Sequence, residues 1–113
     1  MAHFGDDELA GALVERVAIE DWIAARDDAG LDAGHWAARG AAFAAVLPDG
    51  GGGGGEGEAR RSRRRWRVVL RAPAAVGLAS RLVWQGQYLA VLAVESDPRR
   101  RDRVVLRCEA REA

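Results

Sequence analysis

Between Arg81 and Glu109 the chain reads RLVWQGQYLAVLAVESDPRRRDRVVLRCE, a stretch that few backbones can accommodate. Leu82-Val83-Trp84 runs into Gln85-Gly86, and a glycine at the second central position of a two-residue turn tolerates the positive φ that a correctly twisted hairpin requires. Tyr88 to Val94 leaves the turn without a single charge. Such a run suits a strand buried on both faces, although periodicity alone also admits a short buried helix. Ser96-Asp97-Pro98 interrupts it, because proline has no N–H for a ladder. Past a basic corner, Arg99 to Arg103, the residues Val104, Leu106 and Cys108 alternate with Arg103, Val105, Arg107 and Glu109. That period of two predicts a strand with one face in and one face out. The C-terminal quarter is therefore expected to be an antiparallel meander, which earlier strands must cover.

Similar short runs recur upstream. Val17 and Ile19 alternate with Arg16, Ala18 and Glu20, and Trp22-Ile23 extends the pattern to a turn at Asp27-Asp28-Ala29-Gly30. His35-Trp36 to Leu47 follows. Its alanines allow a helix over Ala37 to Val46, but Gly40 in the middle weakens a helix and serves a strand as a bulge, so a strand is preferred. Trp66, Val68 and Leu70 alternate with Arg65, Arg67 and Arg71, and Pro73 ends that run. Ala74 to Ser80 is a short apolar connection. Ahead of all these, Asp6, Asp7 and Glu8 suit the first turn of a short helix from about Asp6 to Ala12. About six short strands separated by turn signals predict an all-β fold, a small antiparallel barrel or sandwich. Closure would also hide the sheet edges.

With 113 residues the chain is expected to form a single domain, burying roughly 60–70% of its unfolded surface. Its lone cysteine, Cys108, excludes an internal disulfide and falls on an apolar strand face, as a small buried hydrophobe would. The first residues are acidic and lack the apolar core of a signal peptide, and no uncharged run approaches the length of a bilayer span, so no membrane partner is expected.

Formal charge is zero overall but unevenly distributed. Met1 to Glu58 carries twelve acids and three arginines, a net of −9, and Ala59 to Ala113 carries fourteen arginines and five acids, a net of +9. Such polarity either neutralises itself within one compact domain or steers head-to-tail contact between copies. All basic side chains are arginine, which with the abundance of alanine and glycine reads as the bias of a GC-rich genome.

Candidate chemistry is sparse. His3 and His35 lack Cys or carboxylate neighbours at metal-ligand spacing, and the glycine run neither precedes a Lys-Ser/Thr nor opens a helix after a strand. Asp27-Asp28 reads as a solvated turn, and Trp22, Trp36, Trp66 and Trp84 as core or interface anchors. No catalytic activity, metal or cofactor is expected. The feature with functional content is the loop between the second and third predicted strands, over residues 48–65. Six consecutive glycines, Gly50, Gly51, Gly52, Gly53, Gly54 and Gly55, predict a mobile segment. It leads into Arg60, Arg61, Arg63, Arg64 and Arg65, a positive cluster suited to phosphate oxygens without reading sequence. A solvated loop with a codon-biased arginine run explains the same residues, and Arg99-Arg100-Arg101 shares the ambiguity.

Taken in order, E-R-V-A-I (Glu15 to Ile19), D-D-A-G (Asp27 to Gly30), Trp36, A-A-V-L-P (Ala44 to Pro48), R-L-V-W-Q-G-Q-Y (Arg81 to Tyr88), S-D-P (Ser96 to Pro98) and V-V-L-R-C-E (Val104 to Glu109) resemble the phage head–tail joining, or head closure (stopper), proteins. The resemblance covers about Val14 to Glu109, and the polyglycine run departs from the family pattern. It implies a small β-barrel acting as a connector in the virion neck of a tailed bacteriophage or gene transfer agent, assembled in the bacterial host cytoplasm. The implied partners are identical copies in a six- or twelve-fold homo-oligomeric ring, a portal or adaptor protein above, a tail-terminator or tail protein below, and packaged double-stranded DNA in the channel. The family's channel loop falls on Pro48 to Arg65 of this chain. Competing readings are a tail-terminator or tail-completion protein of the same particle, and a free-standing small-barrel nucleic-acid-binding module.

Overall fold

The computed structural model describes residues 6–50 and 64–111. A short helix, α1 (Asp6–Ala12), precedes six strands: β1 (Glu15–Arg26), β2 (Asp32–Pro48), β3 (Arg65–Arg71), β4 (Ser80–Trp84), β5 (Gln87–Asp97) and β6 (Arg100–Arg111). The strands close into an antiparallel barrel in the order β1-β2-β3-β6-β5-β4, with β4 returning to β1.

The alternation in the sequence becomes the inside of this barrel. Val17, Ala44, Val68, Leu70, Leu82, Trp84, Leu89, Val91, Leu106 and Cys108 form one buried cluster, with Ile19, Ala42, Val46, Trp66, Val104 and Ala110 packed against it. On every strand these positions are two apart, as a pleated backbone requires. Cys108 lies opposite Trp66 in the ladder, and the Trp66 and Trp84 rings meet edge to face at 4.8 Å. Ala74 and Val76, from the β3–β4 connection, pack against the same cluster. A small barrel filled by side chains has no bore.

A second cluster lies outside. Leu9 of α1 is fully buried against Ala45 and Val69, with Ala12, Leu13 and Val105 around it. The short helix thus covers the outer face of β2, β3 and β6 and is held by packing, since seven residues are too few for a helix to persist alone.

The His35–Leu47 segment is strand throughout. Between β1 and β2 the register passes from Ile19 opposite Gly40 to Glu20 opposite Ala38, leaving Arg39 unopposed. Gly40 has φ 132°, which makes glycine the natural residue at this bulge. At the β4–β5 turn Gln85 and Gly86 both have positive φ, 48° and 76°, the primed geometry that matches strand twist.

Three expectations need correction. The uncharged run of β5 is buried on both faces only near its start: Leu92 and Val94 are about 40% exposed, and a register shift between Val91 and Ala93 marks a bulge at Leu92. The basic corner is shorter than its composition suggests, because β6 already begins at Arg100, though a second register shift between Glu95 and Asp97 splays the ladder there. Arg103 is not on a solvated face. It is only 7% exposed and makes a two-pronged contact with its neighbour Asp102, at 2.9 and 3.1 Å.

β1 and β2 outrun their neighbours. β4 pairs with β1 only over Ala18–Asp21, and β3 pairs with β2 only over Ala44–Pro48. The two long strands continue together, Trp22 opposite Trp36 to Arg26 opposite Asp32, as a two-stranded arm beyond the barrel. Its turn is closed by Asp27, whose carboxylate accepts hydrogen bonds from the Ala29 and Leu31 amides at 3.0 and 2.8 Å.

Candidate nucleic-acid interface

Strand direction divides the barrel into two ends. The β2–β3 loop, α1, the β4–β5 turn and the end of β6 lie at one; the arm, the β3–β4 connection and the β5–β6 turn lie at the other. The two arginine runs that look alike in the sequence are therefore at opposite ends.

At the loop end, the described part of the candidate cluster is Gly50, Arg64 and Arg65. Arg60, Arg61, Arg63 and Gly51 to Gly55 lie outside the described residues. The base of the loop is tied where β2 and β3 part. The Asp49 amide donates to the Arg65 carbonyl at 3.0 Å, and the Ala110 amide donates to the Arg64 carbonyl at 2.8 Å. The Asp49 carboxylate, 13% exposed, takes the Arg107 guanidinium at 3.3 Å and lies 3.7 Å from that of Arg67. Arg65 approaches Glu109 at 3.5 Å, and Arg111 reaches the same carboxylate at 3.4 Å. Surface pairs of this kind are worth about 0–1 kcal/mol each; their effect here is to fix where the loop leaves and re-enters the barrel.

Arg64 is exposed, with its guanidinium 5.7 Å from the Trp66 ring centre. Trp66 offers little to a base, since its ring is half-buried and engaged with Trp84. Trp84 donates its indole N–H to Glu15 Oε1 at 2.8 Å, whereas the buried Trp66 Nε1 and Arg67 Nε have no hydrogen-bond partner among the described residues.

At the arm end, the Arg99 amide donates to Asp97 Oδ1 at 2.8 Å and Arg101 Nε to the Pro98 carbonyl at 3.3 Å. The corner arginines thus partly brace their own turn. Asp21, where β1 leaves the barrel, accepts hydrogen bonds from the Ser80 hydroxyl and Arg39 Nε, which hold its carboxyl below the ordinary range. The Arg103 guanidinium lowers Asp102 in the same way. Burial pushes the Cys108 thiol up to about 12, so it stays protonated at neutral pH. Among the described residues no group of three His, Cys, Asp or Glu could hold a metal ion.

One surface was not anticipated. Outside β4 and β5, Arg81 lies between two rings, 4.3 Å from the centre of Trp36 and 3.9 Å from that of Tyr88. Its Nε donates to Glu20 at 2.7 Å. This stack floors a groove of about 390 Å³ bordered by Leu78, Leu92 and Arg111. The available signal was phase: Trp22 shares the parity of Glu20, not that of Val17 and Ile19, and so belongs to the outer face.

No family model matches the sequence, and no curated protein matches it. Solved structures do. Protein SF1141 from Shigella flexneri 2a superposes with a TM-score of 0.67 at 19% identity, over 88% of this chain and 94% of that one. A chain in the virion of a native gene transfer agent particle superposes with a TM-score of 0.62 at 23% identity, over 87% of this chain and 94% of that one. The likeness is one of fold, and it takes in nearly the whole of both chains it matches.

Proposed function

We propose that this chain is a structural subunit of a phage-like particle: a head closure connector that forms a ring between the portal-side adaptor and the tail and helps retain packaged DNA. The observation that carries the proposal is the shared fold with a gene transfer agent virion chain, 94% of which is covered. The head–tail motifs from Glu15 to Glu109 point to the neck within such a particle. Because side chains fill the barrel, one copy offers no passage, and any channel has to lie between copies. DNA contact then falls to a loop leaving the barrel rim. The β2–β3 loop leaves from a base fixed by Asp49, Arg65 and Ala110 and carries five arginines within Arg60 to Arg65. As a free-standing nucleic-acid binder the chain is poorly equipped, because single-stranded sites stack bases on exposed rings beside the cationic groups, and Trp66, the ring next to the arginine cluster, is already engaged.

The test replaces Arg60, Arg61, Arg63, Arg64 and Arg65 together by Ser in particles that depend on this subunit. Subunit incorporation and the β-rich circular dichroism spectrum should persist while filled heads lose DNA, more so as salt rises. Unchanged retention would remove the DNA role from the cluster, and absence of the subunit from the neck of imaged particles would remove the connector reading itself.

A further inference from the structure

The arm and the outer groove are unexplained by DNA retention. The arm is exposed on both faces; Trp22 is 44% exposed, Trp36 36% and Leu31, at the tip, 65%. An isolated two-stranded hairpin is marginal in water, and here it leaves large apolar side chains substantially exposed among the described residues. The groove is a preorganised apolar trough whose cationic floor is locked by Trp36, Tyr88 and Glu20. A chain's own tip cannot reach its own groove. Trp36 forms the groove wall at the arm's base, and four ladder steps, roughly 13 Å, separate that pair from Arg26 opposite Asp32.

We propose that the arm tip of one copy, led by Leu31 and the acids Asp27 and Asp28, docks in the groove of Trp36, Leu78, Tyr88, Leu92 and Arg111 on the next copy. Charge selects a second copy as the occupant. The arm, Trp22 to Trp36, carries three acids against one arginine, and the charged side chains that line the groove are two arginines, Arg81 and Arg111. The long-range charge split thus acquires a geometric meaning, an acidic projection matched to a basic groove on the same polypeptide. Tip and groove are different surfaces, so the contact is heterologous and propagates around a ring when the rotation closes. The inference supplies the lateral contact that the connector reading needs and rests on that reading for closure.

Disulfide trapping tests it. Leu31→Cys and Leu92→Cys variants are prepared separately; both positions are exposed, and the buried Cys108 thiol does not compete. Under mild oxidation, in solution at high concentration and in assembled particles, the mixture should give covalent dimer well in excess of either variant alone. Adding Arg111→Glu to the Leu92→Cys partner should lower the yield roughly tenfold, and adding Asp28→Arg to the Leu31→Cys partner should restore it. A mixture giving no excess in either setting, or a dominant Leu31→Cys self-dimer, overturns the proposal. Loss of trapping with the subunit still in the particle neck would sink this contact alone. Trapping by a subunit absent from particles would sink the connector reading instead.

Discussion

Replacement of Gly34 by Ala separates the arm from the barrel. In a strand interior, Gly→Ala ordinarily gains about 0.5–1 kcal/mol through reduced freedom of the unfolded chain. At Gly34 the gain is outweighed. A Cβ there would collide with Cζ2 of Trp22, approach its Cε2 at 2.7 Å and sit 2.8 Å from the carbonyl oxygen of Ile23. The ring can swing aside, but the carbonyl belongs to the backbone and cannot yield without disturbing the β1–β2 ladder. If the ring moves, its edge-to-face contact with Trp36, at 5.4 Å between centroids, is lost. Such pairs contribute about 0.5–1.5 kcal/mol, and crowding a packed site costs about 1–3 kcal/mol. The net expectation is a loss of about 0.5–4 kcal/mol confined to the arm. Amide exchange at Trp22–Arg26 and along the facing part of β2 should quicken by roughly tenfold for each 1.4 kcal/mol lost. Near-ultraviolet circular dichroism should lose the coupled tryptophan signal, while the melting temperature, set by the barrel core, stays nearly constant. Gly77→Ala, with nothing within 4 Å of the added carbon, is the control. Arm exchange that is unchanged or slower, with the tryptophan signal intact, refutes the reasoning.

Two further outcomes concern the barrel. Leu106→Ala removes a fully buried side chain from the centre of the main cluster and should cost about 2–5 kcal/mol, read as a lower urea midpoint with the far-ultraviolet spectrum retained. Cys108 should make stability fall with alkali. Its thiol ionises near 9 when unfolded and at about 12 when folded, so the stabilisation is whole below 9 and declines between the two values by at most about 1.4 kcal/mol per pH unit. Urea unfolding at stepped pH checks this, and a slope identical in Cys108→Ala would contradict it.

What was legible in the sequence is mostly the inside of the barrel. Val17 and Ile19, Val68 and Leu70, Leu82 and Trp84, Leu106 and Cys108 each announce a strand by parity, and all sit in one core. Alternation reports which face a side chain takes, but not whether that face is covered. Val105 points outward, yet α1 packs over it; Leu92 and Val94 are equally apolar and, among the described residues, stay about 40% exposed. Ala37 to Val46 forms strand and not helix because Gly40 sits at a bulge, a local requirement that propensity does not contain. The arm was illegible because it depends on a mismatch of lengths: β1 and β2 run to twelve and seventeen residues, while β4 and β3 stop at five and seven.

The same distinction governs the candidate sites. Charge counts cannot tell Arg60–Arg65 from Arg99–Arg101, but chain direction sends the two runs to opposite ends. At the corner, one arginine side chain and one arginine amide are bonded within the turn itself, which is how a tight hairpin keeps its shape. At the loop base, Asp49 and Glu109 draw in Arg65, Arg67, Arg107 and Arg111, all of which lie at or beyond the point where the loop rejoins the barrel. None of those pairs includes Arg64, whose exposed guanidinium lies over the Trp66 ring. A filled barrel leaves function to what projects from its rims. Here the base of the arginine-rich loop lies at one end and an acidic apolar arm at the other, so the proposed DNA contact and the proposed contact between copies are tested by separate substitutions, Arg60 to Arg65 for the first and Leu31 for the second.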